Sequence, residues 1–290
     1  MKCGEWMRTE KEVLDQILNF ANEHNLIRAV VLNGSRVNPN VKKDILCDYD
    51  VIFYLTDPHV FVRNQDWIKN FGEIIILQQN SIHDPDQNWF IFLMLFVDGV
   101  RIDLSYKNIK KAETLFKDSL SKVILDKDMI FNNVESPSDK SYHTQKPNEE
   151  EFHSAINNIL WCSTNVAKGL WRSEIPYAKY MQDVIVRDDL VKLLSWYVAM
   201  NNGWTINTGK AGRWLEKYLP INIWNSFVNT YASNNNEHIW NAIFEMIRIT
   251  RIIGTELSQH LGFEYPHTDE RRVNEYLIKI QSLPKAAKSL

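Results

Sequence analysis

The chain has 290 residues, 44% hydrophobic and 24% charged, which excludes a disordered or fibrous protein and allows a substantial core in two domains. Its 33 Lys and Arg against 36 Asp and Glu leave a net charge of −3, so no basic excess exists to grip a nucleic-acid backbone. Three cysteines, Cys3, Cys47 and Cys162, lie far apart without metal-ligand spacing, which excludes a disulfide framework or a zinc site.

The opening MKCGEWMRTEKE lacks the apolar stretch of a signal peptide, and no window approaches the roughly 20 apolar residues of a membrane span. A soluble protein of the reducing cytoplasm is expected, with no membrane or nucleic-acid partner, and a monomer is assumed. Thr9 is a plausible helix cap, and Val13, Leu14, Ile17, Leu18 and Ala21 recur at helical spacing, predicting a helix over 9–24. A β-branched strand follows at 28–33 (RAVVLN) and stops at Gly34-Ser35; a second, 49–55 (YDVIFYL), begins after a polar loop. The pattern then predicts a helix over 60–71, a strand over 74–77, a loop over 79–88, and strands 90–97 and 100–106 flanking the hairpin signal Asp98-Gly99.

Helical spacing returns over 108–117. The segment 132–148 is polar, contains two prolines and lacks periodicity. Beyond it strand signals nearly vanish, and 149–169, 177–200, 212–218 and 238–261 carry helical spacing. The expected class is α+β: a mixed-sheet domain over 1–135, a linker over 136–148 and an all-α domain over 149–290.

The chemistry concentrates in carboxylates. Asp48 and Asp50 bracket Tyr49 at a strand entrance, and alternation puts an i, i+2 pair on one face. Their repulsion is relieved by a divalent cation, and hard oxygen ligands suit Mg²⁺. Alone, the spacing favours solvated residues opening a strand, because Asp-x-Asp is common. Gly34-Ser35 ends the preceding strand where backbone N–H groups and a hydroxyl can meet an anion, although an ordinary turn has the same composition. A third carboxylate, Asp103, lies in a strand where Arg101, Asp103 and Ser105 alternate with Val100, Ile102 and Leu104; it pairs with Arg101, faces solvent, or serves chemistry. Together the three features suit a two-metal phosphoryl or nucleotidyl transfer site.

In that order, Gly-Ser, then Asp-x-Asp, then a distal Asp, the chain resembles the nucleotidyltransferase superfamily with the DNA polymerase β-like catalytic domain. Its stretches MRTEKEVLDQIL, NGSRVNPN, DYDVIFYL, WIKNFGEI, DGVRIDL, ILDKD, NVAKGLWRSEIPY and LSWYVAMNNGW are similar to those of the aminoglycoside 6-adenylyltransferases, the streptomycin-modifying enzymes. The resemblance implies a polymerase β-like mixed-sheet domain followed by a helical bundle, with ATP and acceptor meeting between them. It implies Mg²⁺-dependent transfer of AMP from ATP to an aminoglycoside hydroxyl, the 6-hydroxyl of streptomycin, with release of pyrophosphate and antibiotic resistance.

By that resemblance Asp48 and Asp50 would ligate Mg²⁺, and Asp103 would be a third ligand or the general base. Ser35 and Gly34 would hold the β/γ phosphates, with charge added by Arg36. Cations for the triphosphate tail are sought in the helical half at Lys168 and at Lys210, which follows Gly209. A polycationic acceptor needs carboxylates and flat apolar faces, and Trp171, Glu174 and Asp183 are the candidates. The histidines show no ligand spacing. The rival readings are a nucleotidyltransferase acting on protein or RNA, and a noncatalytic antitoxin-like binding protein of the same fold.

Overall fold

The structure is a computed structural model describing residues 7–84, 87–112 and 116–289. Cys3, and residues 113–115 of the helix expected over 108–117, lie outside the described residues. The chain divides between Ser141 and Tyr142 into two compact units.

The first unit opens with α1 (Glu10–Glu23), which Thr9 starts through a reciprocal capping box with Glu12. Val13, Ile17, Phe20 and Ala21 form its buried stripe. The strands are β1 (Ile27–Asn33), β2 (Tyr49–Leu55), β3 (Ile74–Asp84), β4 (Gln87–Phe96), β5 (Arg101–Asn108) and β6 (Ser121–Asp126). They form one mixed sheet in the order β3-β4-β5-β2-β1-β6. Only the β2–β5 pair is parallel among these neighbours, and it sets Asp50 directly beside Asp103.

One sheet face packs under an aromatic cluster in which Phe20, Phe53, Phe61, Trp67, Phe92 and Tyr106 meet ring against ring. Alternation along β5 sends Ile102, Leu104 and Tyr106 into that core and leaves Arg101, Asp103 and Ser105 on the opposite face. The same rule puts Asp50 on the face carrying Asp103. Burial of one apolar face thus fixes the register that juxtaposes two carboxylates.

Three expectations change here. The helix over 60–71 is a short helix α2 (His59–Arg63) followed by a 3₁₀ segment, Asp66–Phe71. Within the loop expected over 79–88, β3 instead runs on to Asp84 and β4 starts at Gln87, because strand β3 lies at the sheet edge and needs no apolar alternation to pair. Strand β6 was not foreseen; it adds to the far side of β1.

The second unit is helical: α3 (Glu149–Trp171), α4 (Ile175–Tyr180), a π-helical turn (Met181–Val186), α5 (Arg187–Asn201), α6 (Ile221–Asn229), α7 (Asn236–Leu261) and α8 (His267–Ser282). Asn148 caps α3 in a second capping box, with Glu151, and Gly262 ends α7 in the left-handed conformation, φ 78°. Helices α6 and α8 were not foreseen, and the segment 212–218 forms 3₁₀ turns rather than one helix. No described helix is long and apolar enough to cross a membrane.

Candidate active site

The site candidates divide between the units. Gly34, Ser35, Arg36, Asp48, Asp50 and Asp103 belong to the first; Lys168, Trp171, Glu174, Asp183 and Lys210 belong to the second.

Strand β1 ends at Asn33, which pairs in register with Asp50, and the chain then tightens into a 3₁₀ turn, Gly34–Val37. Gly34 takes φ +75°, and a β-carbon there would stand 2.3 Å from Asp50 Oδ2. Only glycine satisfies both the backbone and the carboxylate above it. Its N–H donates to the Leu120 carbonyl at 3.1 Å, so the Gly-Ser turn is tied to β6. The Asn33 amide nitrogen donates to Ser121 Oγ at 2.8 Å and Asp118 Oδ2 at 3.2 Å, bracing the same corner; its carbonyl oxygen is buried without a partner. Ser35 is half-exposed on this corner.

Asp48 precedes β2, Asp50 lies on it, and Asp103 is its register partner on β5. Burial first, then the charges of Asp103 and Asp48, push the Asp50 carboxyl up to about 6, against the opposing pull of Arg101 and Arg36. Burial also raises Asp48, partly offset by Arg101. The expected common cage is not assembled: among the described residues, no three His, Cys, Asp or Glu side chains are gathered to hold an ion. The physical reason is Arg101, whose guanidinium grips Asp103 through two bonds, Nε to Oδ1 at 2.8 Å and Nη2 to Oδ2 at 2.6 Å. Its Nη1 also stands 3.6 Å from Asp48 Oδ2. The donor chemistry nevertheless suits a hard divalent cation: three carboxylates on adjacent segments, one of them raised by burial and by the other two.

Arg36 takes a position different from the phosphate contact expected of it. Its side chain is 6% exposed and turns inward: Nε donates to the Asp48 carbonyl at 3.2 Å, Nη2 donates to that of Cys47, and Nη1 pairs with Glu10 at 3.3 Å. The guanidinium lies 3.6 Å from the centroid of the Tyr49 ring. Arg36 is therefore a clamp on the segment that delivers Asp48. A cation beside Gly-Ser looks the same in sequence whether it faces out to phosphate or inward to carbonyls.

In the second unit, Trp171 donates its indole N–H to the Leu283 carbonyl at 3.0 Å, and Lys285 lies over its ring. Asp183 accepts from Lys179 at 2.6 Å and from Arg187 at 2.9 Å. These contacts make both residues part of the helix packing. Glu174 is exposed just before α4. Lys168 is half-buried in α3 and Lys210 exposed after Gly209; neither makes an ion pair among the described residues.

A family profile described as "Streptomycin adenylyltransferase" matches residues 7–280. The aminoglycoside 6-adenylyltransferase of Bacillus subtilis (strain 168) is 35% identical over 270 residues, 91% of this chain and 95% of that protein. The protein of the same name from Campylobacter jejuni is 34% identical over 277 residues, 94% of this chain and 96% of the other. A crystal structure of an aminoglycoside 6-adenyltransferase from Bacillus subtilis aligns over 96% of this chain and 100% of that chain, with 30% identity and a TM-score of 0.49.

Proposed function

Because the chain belongs to the streptomycin adenylyltransferase family, we propose that this adenylyltransferase moves AMP from ATP to a hydroxyl of an aminoglycoside, the 6-hydroxyl of streptomycin, releases pyrophosphate, depends on Mg²⁺ and so confers resistance. The observation that carries the reading is the parallel register of β2 and β5, which sets Asp50 beside Asp103 under the Gly34 turn.

Asp48 and Asp50 would hold Mg²⁺, and Asp103 would complete the set or serve as the base that accepts the acceptor's hydroxyl proton on its carboxylate. The metal, when bound, supplies positive charge for the oxygens that become more negative during transfer. The chain's own residues supply the rest. Gly34 yields its side-chain space to the Asp50 carboxylate and so shapes the turn, while Ser35 offers its N–H and hydroxyl to the phosphates. Arg36 fixes the peptide groups of Cys47 and Asp48, so the Asp48 carboxylate has a defined origin. Asn33, Asp118 and Ser121 hold the corner from which Ser35 projects. Of the acceptor candidates in the helical unit, Glu174 is the carboxylate left exposed, open to a guanidinium or ammonium group.

The test is incubation with ATP, Mg²⁺ and streptomycin, following pyrophosphate and the mass gain of one AMP on the drug, beside Asp50→Asn. The intact protein is expected to turn over and the variant to fail. Equal pyrophosphate from both sinks the assignment of the site. Kanamycin and gentamicin, which lack streptidine, are expected to gain no AMP; comparable rates on them sink the acceptor assignment.

A further inference from the structure

The bond pattern around Arg101 makes a demand that the reaction alone does not. Arg101 and Asp103 are two residues apart on β5 and therefore share its solvent-side face. The guanidinium covers both oxygens of Asp103, at 2.8 and 2.6 Å, and reaches toward Asp48 at 3.6 Å. Asp50 is the register neighbour of Asp103. A single positive charge thus lies against the carboxylates assigned above to the metal, and its fork engages both oxygens of Asp103. Without nucleotide phosphates, an ion held by Asp48 and Asp50 alone would keep most of its shell as water.

We infer that Arg101 is a displaceable resident counter-cation: it fills the electrostatic role of the divalent ion at Asp103 and Asp48 before loading and must swing away for the ion to bind. The inference rests on the metal reading of the three aspartates and adds a positioning residue that couples loading to a side-chain move. The geometry supplies a way out. The Arg101 side chain is 44% exposed, against 15% for Asp103, so it moves without unpacking the core. It lines a cavity of about 690 Å³ whose wall also carries Glu10, Asp44 and Asp48. Glu10 already meets Arg36 and Lys43, whereas Asp44 uses Oδ1 to cap the Leu46 N–H and keeps a carboxylate oxygen for a displaced guanidinium.

The experiment is direct binding of Mn²⁺, used as a paramagnetic stand-in for Mg²⁺, to the full metal-free chain without nucleotide, by electron paramagnetic resonance. Four proteins are compared: the parent, Arg101→Met, Arg101→Lys and Asp50→Asn. Met keeps the stem and removes the charge, and is expected to bind Mn²⁺ about three- to tenfold more tightly, the range expected for releasing a partly exposed forked pair. Lys keeps a charge but cannot fork, and is expected to fall between parent and Met. Asp50→Asn is expected to weaken binding and reports on the ligand assignment alone. Thermal melting adds a second measurement: without metal the Met variant is expected to melt lower than the parent, and Mn²⁺ to raise it by more.

Equal or weaker Mn²⁺ binding by the Met variant, while Asp50→Asn still loses affinity, overturns the counter-cation and leaves the metal site standing. The same holds if melting falls with affinity unchanged, since Arg101 is then merely structural. Binding indifferent to Asp50→Asn overturns the ligand assignment and the inference with it. Binding by the Met variant where the parent shows none supports the inference in its strongest form.

Discussion

Asp50 Oδ2 occupies the space beside Gly34 that a β-carbon would need, at 2.3 Å from its ideal position, while Gly34 itself holds φ +75°. The residue that turns the chain and the residue proposed to meet the metal are thus in contact across β1 and β2. Gly34→Ala must move the Asp50 carboxylate or relax the turn. Backbone strain in the left-handed region adds about 1–2 kcal/mol. The expected outcome is a folded protein, destabilised in urea titration by roughly that amount, with adenylyl transfer reduced more than about 100-fold because the displaced group is a proposed ligand. Parent-like turnover would separate the glycine from the reaction.

The environment of Asp50 gives a pH signature in the metal-free protein. Its carboxyl is pushed up to about 6 by burial first and by Asp103 and Asp48 next. In an unfolded chain it titrates near ~4. Between those values the folded state binds the proton more tightly, so this group's contribution falls as pH rises from about 4 to 6. Above that window the ionised group costs the folded state on the order of 1–3 kcal/mol. Asp50→Asn is therefore expected to be more stable than the parent at pH 7 to 8 and indistinguishable below about pH 4. Urea melts at pH 4, 5.5 and 7.5 check the sign. Added Mg²⁺ is expected to stabilise the parent and leave the variant unmoved.

What the sequence disclosed follows from which forces are local. Alternation around Asp103 and the Asp48-Tyr49-Asp50 spacing were readable because a strand's two faces are written into every second residue. The parallel pairing of β2 with β5 was not, since it joins segments separated by a hairpin and depends on burial of Phe53, Phe92 and Tyr106 together. Arg101 was visible as one partner for Asp103, but its fork onto Asp103 and reach to Asp48 need side-chain directions. Residue type and the family resemblance point Arg36, Trp171 and Asp183 to ligands, whereas their protein partners lie at Cys47, Asp48, Leu283 and Arg187. Helix α8 has a legible apolar stripe through Leu277 and Ile280 that its many charged residues obscured.

Arg36 distinguishes a clamp from a phosphate ligand. If its guanidinium holds the Cys47 and Asp48 carbonyls, Arg36→Ala leaves two acceptors and the Tyr49 face without their partner. The expected loss is about 2–4 kcal/mol of stability, together with a fall in kcat, because the proposed ligand Asp48 loses its anchor. A phosphate ligand would give the opposite pattern, with KM for ATP raised and the melting temperature unchanged. Melting curves and ATP titrations of the same preparation decide.

Asp183 provides the corresponding test in the helical unit. It receives Lys179 at 2.6 Å and Arg187 at 2.9 Å, and Arg187 is itself buried, donating to the Thr230 hydroxyl and stacked 3.7 Å from the Tyr231 ring centroid. Removing the carboxylate leaves a largely buried guanidinium short of its counter-charge, which outweighs the contact with Lys179, whose ammonium also donates to the Ala232 carbonyl. Asp183→Ala is therefore expected to lose about 1–3 kcal/mol of stability. Its KM for streptomycin is expected to stay within about twofold of the parent, since both carboxylate oxygens already face protein cations. Glu174→Gln, at an exposed position without such partners, is expected to do the reverse: unchanged melting and a raised KM for the drug. A drug KM that rises for Asp183→Ala and not for Glu174→Gln would return Asp183 to the acceptor and remove Glu174 from it.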